Sequence, residues 1–214
     1  MMIGWGAEAT LTSNTILSNT AASMLTAIMA LFYDNLAQGN VASQGGDGTG
    51  GGIWAQYLKE AERNTILDNR ASRGGGIYYT DYSGSIALRD NLIALNYTDG
   101  SASDPPDGGG GIYSLADQVE IVDNRILTNT AYSGAGGGIL TAGGSDFALQ
   151  DNQIISNTVL AGGGMYLWGS AQPALESNVV MSNTALGFFN PGGSGILINI
   201  DAGLPLTLTN HIIA

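Results

Sequence analysis

The stretch that decides the fold is Gly136-Gly137-Gly138-Ile139-Leu140, followed by Leu149-Gln150-Asp151-Asn152-Gln153-Ile154-Ile155-Ser156-Asn157-Thr158-Val159. It joins a triple-glycine run and an apolar pair to an Asn-x-Ile-x-x-Asn phrase, and both halves recur along the chain. First asparagines stand at Asn14, Asn35, Asn64, Asn91, Asn124, Asn152, Asn178 and Asn210. All but the last are followed by a second: Asn19, Asn40, Asn69, Asn96, Asn129, Asn157 and Asn183. Two residues after each first asparagine stand Ile16, Ala37, Ile66, Ile93, Ile126, Ile154, Val180 and Ile212. The glycine half returns at Gly50–Gly52, Gly74–Gly76, Gly109–Gly111 and Gly162–Gly164, and more loosely at Gly193-Ser194-Gly195. Successive first asparagines lie 21 to 33 residues apart, the period of a solenoid with variable loops.

Composition narrows the function. The 214 residues carry a net charge of -12, with Lys59 the only lysine, so no basic face can track a nucleic-acid backbone. An anionic membrane surface is excluded on the same ground, and the apolar run Met24 to Tyr33 is too short to span a bilayer. Without cysteine the chain has no disulfides or thiolate metal sites. The first residues carry no signal peptide and the last stop within a repeat, so the expectation is one β-helix domain over residues 1–214, cut from a longer array.

Alternation sets Ile53, Ile77, Ile112, Ile139, Met165 and Ile196 on one side of a glycine-led strand, with Trp54, Tyr78, Tyr113, Leu140, Tyr166 and Leu197 on the other. A second strand is expected around Leu88, Ile121, Leu149, Leu175 and Leu208, and a third around the Ile or Val after each first asparagine. Residues 22–33 read as a degenerate coil or a capping helix, the degenerate strand being favoured. Coils stacked at about 4.8 Å place like residues on like, so the asparagines form ladders whose corners they turn in the left-handed conformation. The expected fold is all-β: a single-stranded right-handed parallel β-helix of about seven or eight coils with three short strands each.

The phrase Asn124-Arg125-Ile126-Leu127-Thr128-Asn129-Thr130-Ala131, leading to Gly136-Gly137-Gly138-Ile139, resembles the repeats of bacterial surface β-helix proteins. These are of the polymorphic outer-membrane protein and adhesin type, within the pectate-lyase-like superfamily of right-handed parallel β-helices. The resemblance covers residues 10 to 214 and implies a secreted or cell-surface bacterial protein. It does not select an activity, because that superfamily holds lyases, hydrolases, epimerases, adhesins and tailspikes.

Trp54, Tyr78, Tyr113 and Tyr166, with Trp168 beside them, are the candidate ligand-binding residues: an outward aromatic column would suit the apolar faces of sugar rings, or else tether the loops. Asp90, Asp123 and Asp151 precede first asparagines on adjacent coils, with Asp34 earlier. Like charges about 5 Å apart repel by about 3 kcal/mol at an effective dielectric near 20, so they must be solvated or bridged by Ca²⁺; turn-forming Asp is the plainer reading. No other cofactor is indicated. Arg70 and Arg73 could meet Asp68, Asp99 or Asp104, but no lyase or hydrolase motif is legible and no catalytic residue is assigned. His211 reads as incidental, and Asn96-Tyr97-Thr98 matches a glycosylation sequon that the repeat already explains. The expected function is a structural or adhesive segment binding glycan or protein through the aromatic edge and its loops; the rival is a polysaccharide lyase or glycoside hydrolase working along the glycine-led strand. Uncapped coils would also let copies associate end to end.

Overall fold

A computed structural model describes residues 9–21, 23–42, 48–100, 107–132, 134–142, 146–160, 162–169, 172–186, 193–200, 206–209 and 211–214. Every regular element among them is a β-strand. The strands form three parallel sheets of 11, 8 and 7 members. The long sheet runs through Ala9–Thr12, Ser23–Tyr33, Thr49–Glu62, Ile77–Arg89 and Ile112–Val122, and continues as paired segments such as Ile139–Ala142 with Asp146–Gln150. The middle sheet stacks three-residue strands such as Leu92–Ala94, Arg125–Leu127 and Gln153–Ile155. The narrow sheet stacks two-residue strands such as Arg70–Ala71, Tyr97–Thr98 and Thr130–Ala131. Residues 23–33 are a strand that pairs with Thr49–Glu62 through two register shifts, and no helix caps the coils there.

The sides of the spiral are divided differently from expectation. The glycine-led strand and the strand holding Leu88 or Ile121 belong to one sheet, because nothing between them turns the chain: Ile77 to Arg89 pairs from end to end with Ile112 to Val122, with a single irregularity. The third side is the pair of residues after the second asparagine. Two corners are therefore the asparagine corners, and the third is the glycine run.

At each asparagine corner the residue before the asparagine is left-handed. Arg63, Asp90, Asp123 and Asp151 have φ of 53°, 52°, 56° and 54°, and Asp68, Leu95, Thr128 and Ser156 have 52°, 59°, 55° and 58°. No ladder asparagine among the described residues does so. This corrects the expectation that asparagine itself supplies the bend. Its neighbour turns the chain, and the turn swings the amide inward, where it is buried.

There the amides form two ladders. Asn96 Oδ1 accepts from the backbone N–H of Asn69 at 3.0 Å and from its Nδ2 at 3.0 Å. Asn96 Nδ2 donates to Ile66 O at 3.0 Å and to Asn129 Oδ1 at 3.0 Å. The side chain thus uses two acceptor sites and both donors, and the pattern repeats from coil to coil. Each bond contributes about 0.5–1.5 kcal/mol net, and a buried amide left unmade costs about 1–3. The sequon at Asn96 is consumed by this ladder: Asn96 and Thr98 are both buried.

The first ladder ends on a different residue. Val179 pairs with Ile212, so the ladder partner of Asn178 is His211, and the phrase is one residue later than the Asn210 reading assumed. His211 Nδ1 accepts from the Asn178 N–H at 3.2 Å while Nε2 lies 3.0 Å from Leu175 O. Those two contacts require the neutral Nε2–H tautomer, an imidazole standing in for an amide. His211 is therefore a ladder member, which corrects its reading as incidental; Asn210 lies outside the described residues.

Glycine is required where ladder and sheet converge. A Cβ on Gly138 would lie 2.6 Å from Gly164 O and 3.1 Å from Asn157 Nδ2. At the head of the run Gly136 has φ +62, where any side chain is strained. Inside, Ile53, Ile77, Ile112, Ile139 and Met165 form one apolar column, Leu88, Ile121, Leu149 and Leu175 a second, and Ile66, Ile93, Ile126, Ile154 and Val180 a third.

Replacing Asn124 with Ala removes the acceptor for Asn91 N and Nδ2 and the donor to Leu88 O. The expected loss is about 2–4 kcal/mol, whereas Asn14→Ala, at an exposed rung, costs under about 1 kcal/mol. Urea unfolding followed by circular dichroism measures both; equal losses at the two rungs would remove the ladder as the main stabiliser.

Candidate functional site

Two features of the long sheet's outer surface are candidates: the aromatic column near the glycine corner, and a groove further along the same strands.

The column is real but mostly closed. Trp54, Tyr78, Tyr113, Leu140 and Tyr166 stack in register across consecutive coils. Tyr78 and Tyr113 lie 5.1 Å apart at an interplanar angle of 21°, a stacked pair. Tyr113 is 0% exposed and Tyr78 7%, packed with Ala135, Leu140 and Ala142 as a second apolar cluster outside the main core. The centre of the column is thus packing, the second of the two readings of these rings, and Tyr78 and Tyr113 present no open face to a sugar. Trp54, Tyr166 and Trp168 remain half-buried, and Asn199 Nδ2 donates to the Tyr166 hydroxyl at 3.3 Å.

The variable loop beside this cluster is pinned at both ends by the preceding coil. Arg70 Nη2 bonds Asp99 Oδ2 at 2.6 Å, and Arg70 also lies over the Tyr97 ring, 5.3 Å from its centroid. Arg73 pairs with the buried Asp107. Burial disfavours the Arg73 charge, but the hydrogen bond and field of Asp107 outweigh it and raise its pKa. Arg70 and Arg73 do meet acids, at Asp99 and Asp107, and they act as loop anchors. Asp104 lies outside the described residues.

The groove lies where the strands approach the first asparagine corner. Its floor is the outward row Ala87, Glu120, Ala148 and Ala174, paired coil to coil. Ser85, Gln118 and Asp146 stand in the row on one side, and Arg89 in the row on the other. Lys59 closes one end, and the space measures about 560 Å³. A smaller continuation passes Gln150 and Glu176 to Thr207 and Thr209. Arg89 is the hub: Nη1 and Nη2 bond Glu120 at 3.0 and 2.7 Å, and Nε lies 3.6 Å from Glu60. The sequence reading missed this groove. Its signal was present, since Ala87, Ala148 and Ala174 each immediately precede the buried Leu88, Leu149 and Leu175.

The aspartate column sits elsewhere. Asp90, Asp123 and Asp151 are exposed at the left-handed corner, the geometry of turn-forming Asp. Among the described residues no group of three or more His, Cys, Asp or Glu is arranged to hold a metal ion. One coil away from them Arg63 bonds Asp34 at 2.8 Å, and that hydrogen bond with the attendant charge holds the Asp34 carboxyl below the usual range.

The family comparison agrees with this architecture. A model of the right-handed β-helix region matches residues 96–213, more than half of the chain, and the protein belongs to that family. No curated protein and no solved structure matches it.

Tyr113→Ala should destabilise the fold by about 3–5 kcal/mol, measured by urea unfolding; a loss below 1 kcal/mol would mean the ring is dispensable packing. For Asp34 the sign is fixed by its depressed pKa: the Arg63 contact contributes fully above the ordinary carboxyl pKa and is lost as pH falls from there through the depressed one. An NMR titration should show Asp34 titrating below a reference Asp in the wild type and returning to it in Arg63→Gln.

Proposed function

We propose that this solenoid is a binding scaffold of the bacterial cell surface or exterior, holding an extended glycan along the groove over Ala87, Ala148 and Ala174. The observation that carries the reading is the form of that groove. It follows the solenoid axis, its floor is small alanines interrupted by Glu120, and its walls present amide, carboxylate and ammonium groups. A sugar chain needs such a mixture: flat apolar surface for its C–H faces and directed polar groups for its hydroxyls. The half-buried Trp54, Tyr166 and Trp168 extend the same outer surface toward the glycine corner.

A second reading draws on the same place. Glu120 and Asp146 share the groove with Lys59 and Arg89, the kinds of group a polysaccharide lyase or glycoside hydrolase uses. Binding is favoured because the Arg89 fork is occupied by Glu120, with Glu60 close by, so this guanidinium is committed to holding the wall together.

Ala148 is exposed on the groove floor, so Ala148→Trp should fill the groove while leaving the coil intact. On a glycan array the wild type should retain at least one extended polysaccharide, and Ala148→Trp should lose about tenfold or more in affinity by calorimetry. Retention of no glycan, or equal affinity in the variant, would overturn the proposal. Release of unsaturated or reducing ends from the bound glycan would move the assignment to the enzymatic reading.

A further inference from the structure

The middle sheet is apolar on its inner face, and its outer face sets an apolar row beside a mixed row of Thr65, Leu92, Arg125, Gln153 and Val179. Its inward residues Ile66, Ile93, Ile126, Ile154 and Val180 are fully buried in the core. The residue after each of these points outward, and these outward residues pair in register: Leu67, Ala94, Leu127, Ile155 and Met181. Leu67, Leu127, Ile155 and Met181 keep part of their surface in solvent, and Leu95, at the adjoining corner, is 56% exposed. An outward column of this kind adds nothing to the core. It has no role in the ladders or in the groove, which lies on the other side of the first asparagine corner.

One edge of this stripe is charged. Asp90, Asp123 and Asp151 each stand two residues before a middle-sheet strand, exposed and one coil apart. No ion pair reaches any of them among the described residues. The one cation in the outward rows of these strands is Arg125. Carboxylates spaced at about 4.8 Å repel one another, so a row of positive charge laid beside this rim would be attracted to it. The face from Leu67 to Met181 spans four coil spacings, about 19 Å, and is one short strand wide. Those dimensions match an α-helix of about 13 residues, roughly 10 Å across and 20 Å long.

We propose that the outer face of the middle sheet is a docking surface for a basic amphipathic helix of a protein partner. The helix lies along the solenoid axis, its apolar stripe on Leu127, Ile155 and Met181. A row of Lys or Arg on its flank meets Asp90, Asp123 and Asp151. Apolar contact provides the bulk of the binding, and the aspartate rim fixes which way the helix is rolled. This surface is separate from the groove, and its occupancy does not depend on glycan binding.

The probe is a fluorescent Leu/Lys helical peptide of about 14 residues, with two controls of equal length, one carrying Glu for Lys and one Ser for Leu. Fluorescence anisotropy should show saturable binding of the Leu/Lys peptide about tenfold tighter than either control. The paired variants Leu127→Ser with Ile155→Ser, and Asp123→Asn with Asp151→Asn, should each weaken it by a similar factor. Asn tolerates the left-handed corner, so the second variant keeps the fold and decides the matter if the first does not fold. Equal binding of the Ser-for-Leu peptide would reduce the effect to general attraction of a polycation by an acidic chain. Wild-type affinity in the Asp123→Asn, Asp151→Asn protein, or no saturable binding at all, would likewise overturn the proposal.

Discussion

The structure depends on a buried side-chain amide that hydrogen-bonds in both directions along the solenoid axis. Asn124 shows why no other residue type serves as well. Its oxygen accepts from the backbone and side chain of Asn91, and its nitrogen donates to Leu88 O and to Asn152 Oδ1. A serine would reach fewer partners, a leucine none, and an aspartate would bury charge without a donor. Because each rung satisfies the next, the ladder fixes the vertical register of the coils, and the parallel sheets follow from that register. His211 illustrates the rule by substitution. Its ring supplies one acceptor and one donor, enough to close the rung on Asn178 and Leu175, with no further N–H to offer a coil beyond.

The ladder in turn dictates where glycine and the left-handed residues fall. Turning the asparagine inward requires a sharp bend just before it, and that bend is taken by Ser, Asp, Arg, Thr, Leu or Gly, whichever residue occupies the corner. Ligation by a metal is not needed to explain the aspartates there. Opposite the second ladder, the sheet must come close enough that a methyl at Gly138 would strike both a carbonyl and the Asn157 amide. The glycine run is thus the third corner of the same construction, made thin so that the narrow sheet can be only two residues wide.

Which parts were legible in the sequence follows from this. A repeated asparagine five residues from another, with Ile between, has few physical uses, and the stacked parallel spiral could be read from it. The face assignments could not, because alternation tells which residues share a side of a strand but not where a strand ends. The merger of two expected strands into the 13-residue Ile77–Arg89 depends on the absence of a bend, and no residue type announces that. Burial was misread for a related reason. Tyr113 points away from the core as expected, but whether an outward ring is open depends on what lies over it, and the neighbouring residues of the same cluster come from the coils on either side. The groove was recoverable from the alanines before Leu88, Leu149 and Leu175, but only once those positions were known to share an outer row.

The interior leaves little room for functional variation, so binding must be sought on the outer rows, and the coils differ there in a telling way. Inside, the column at the middle sheet is Ile or Val in every coil from Ile66 to Val180. Outside, the long sheet mixes alanine with Lys, Gln, Glu, Asp and Arg, and so gains the directed polar groups that a hydroxylated chain requires. The middle sheet does the opposite, holding Leu127, Ile155 and Met181 partly toward solvent, with Arg125 the one charge in its outward rows and the aspartates at its corner. A stripe of that kind costs solubility and offers nothing to a solenoid whose coils are already joined by amides. The proposed partner helix would cover it, and with the proposed groove one spiral would present two surfaces of different chemistry on either side of a single asparagine corner.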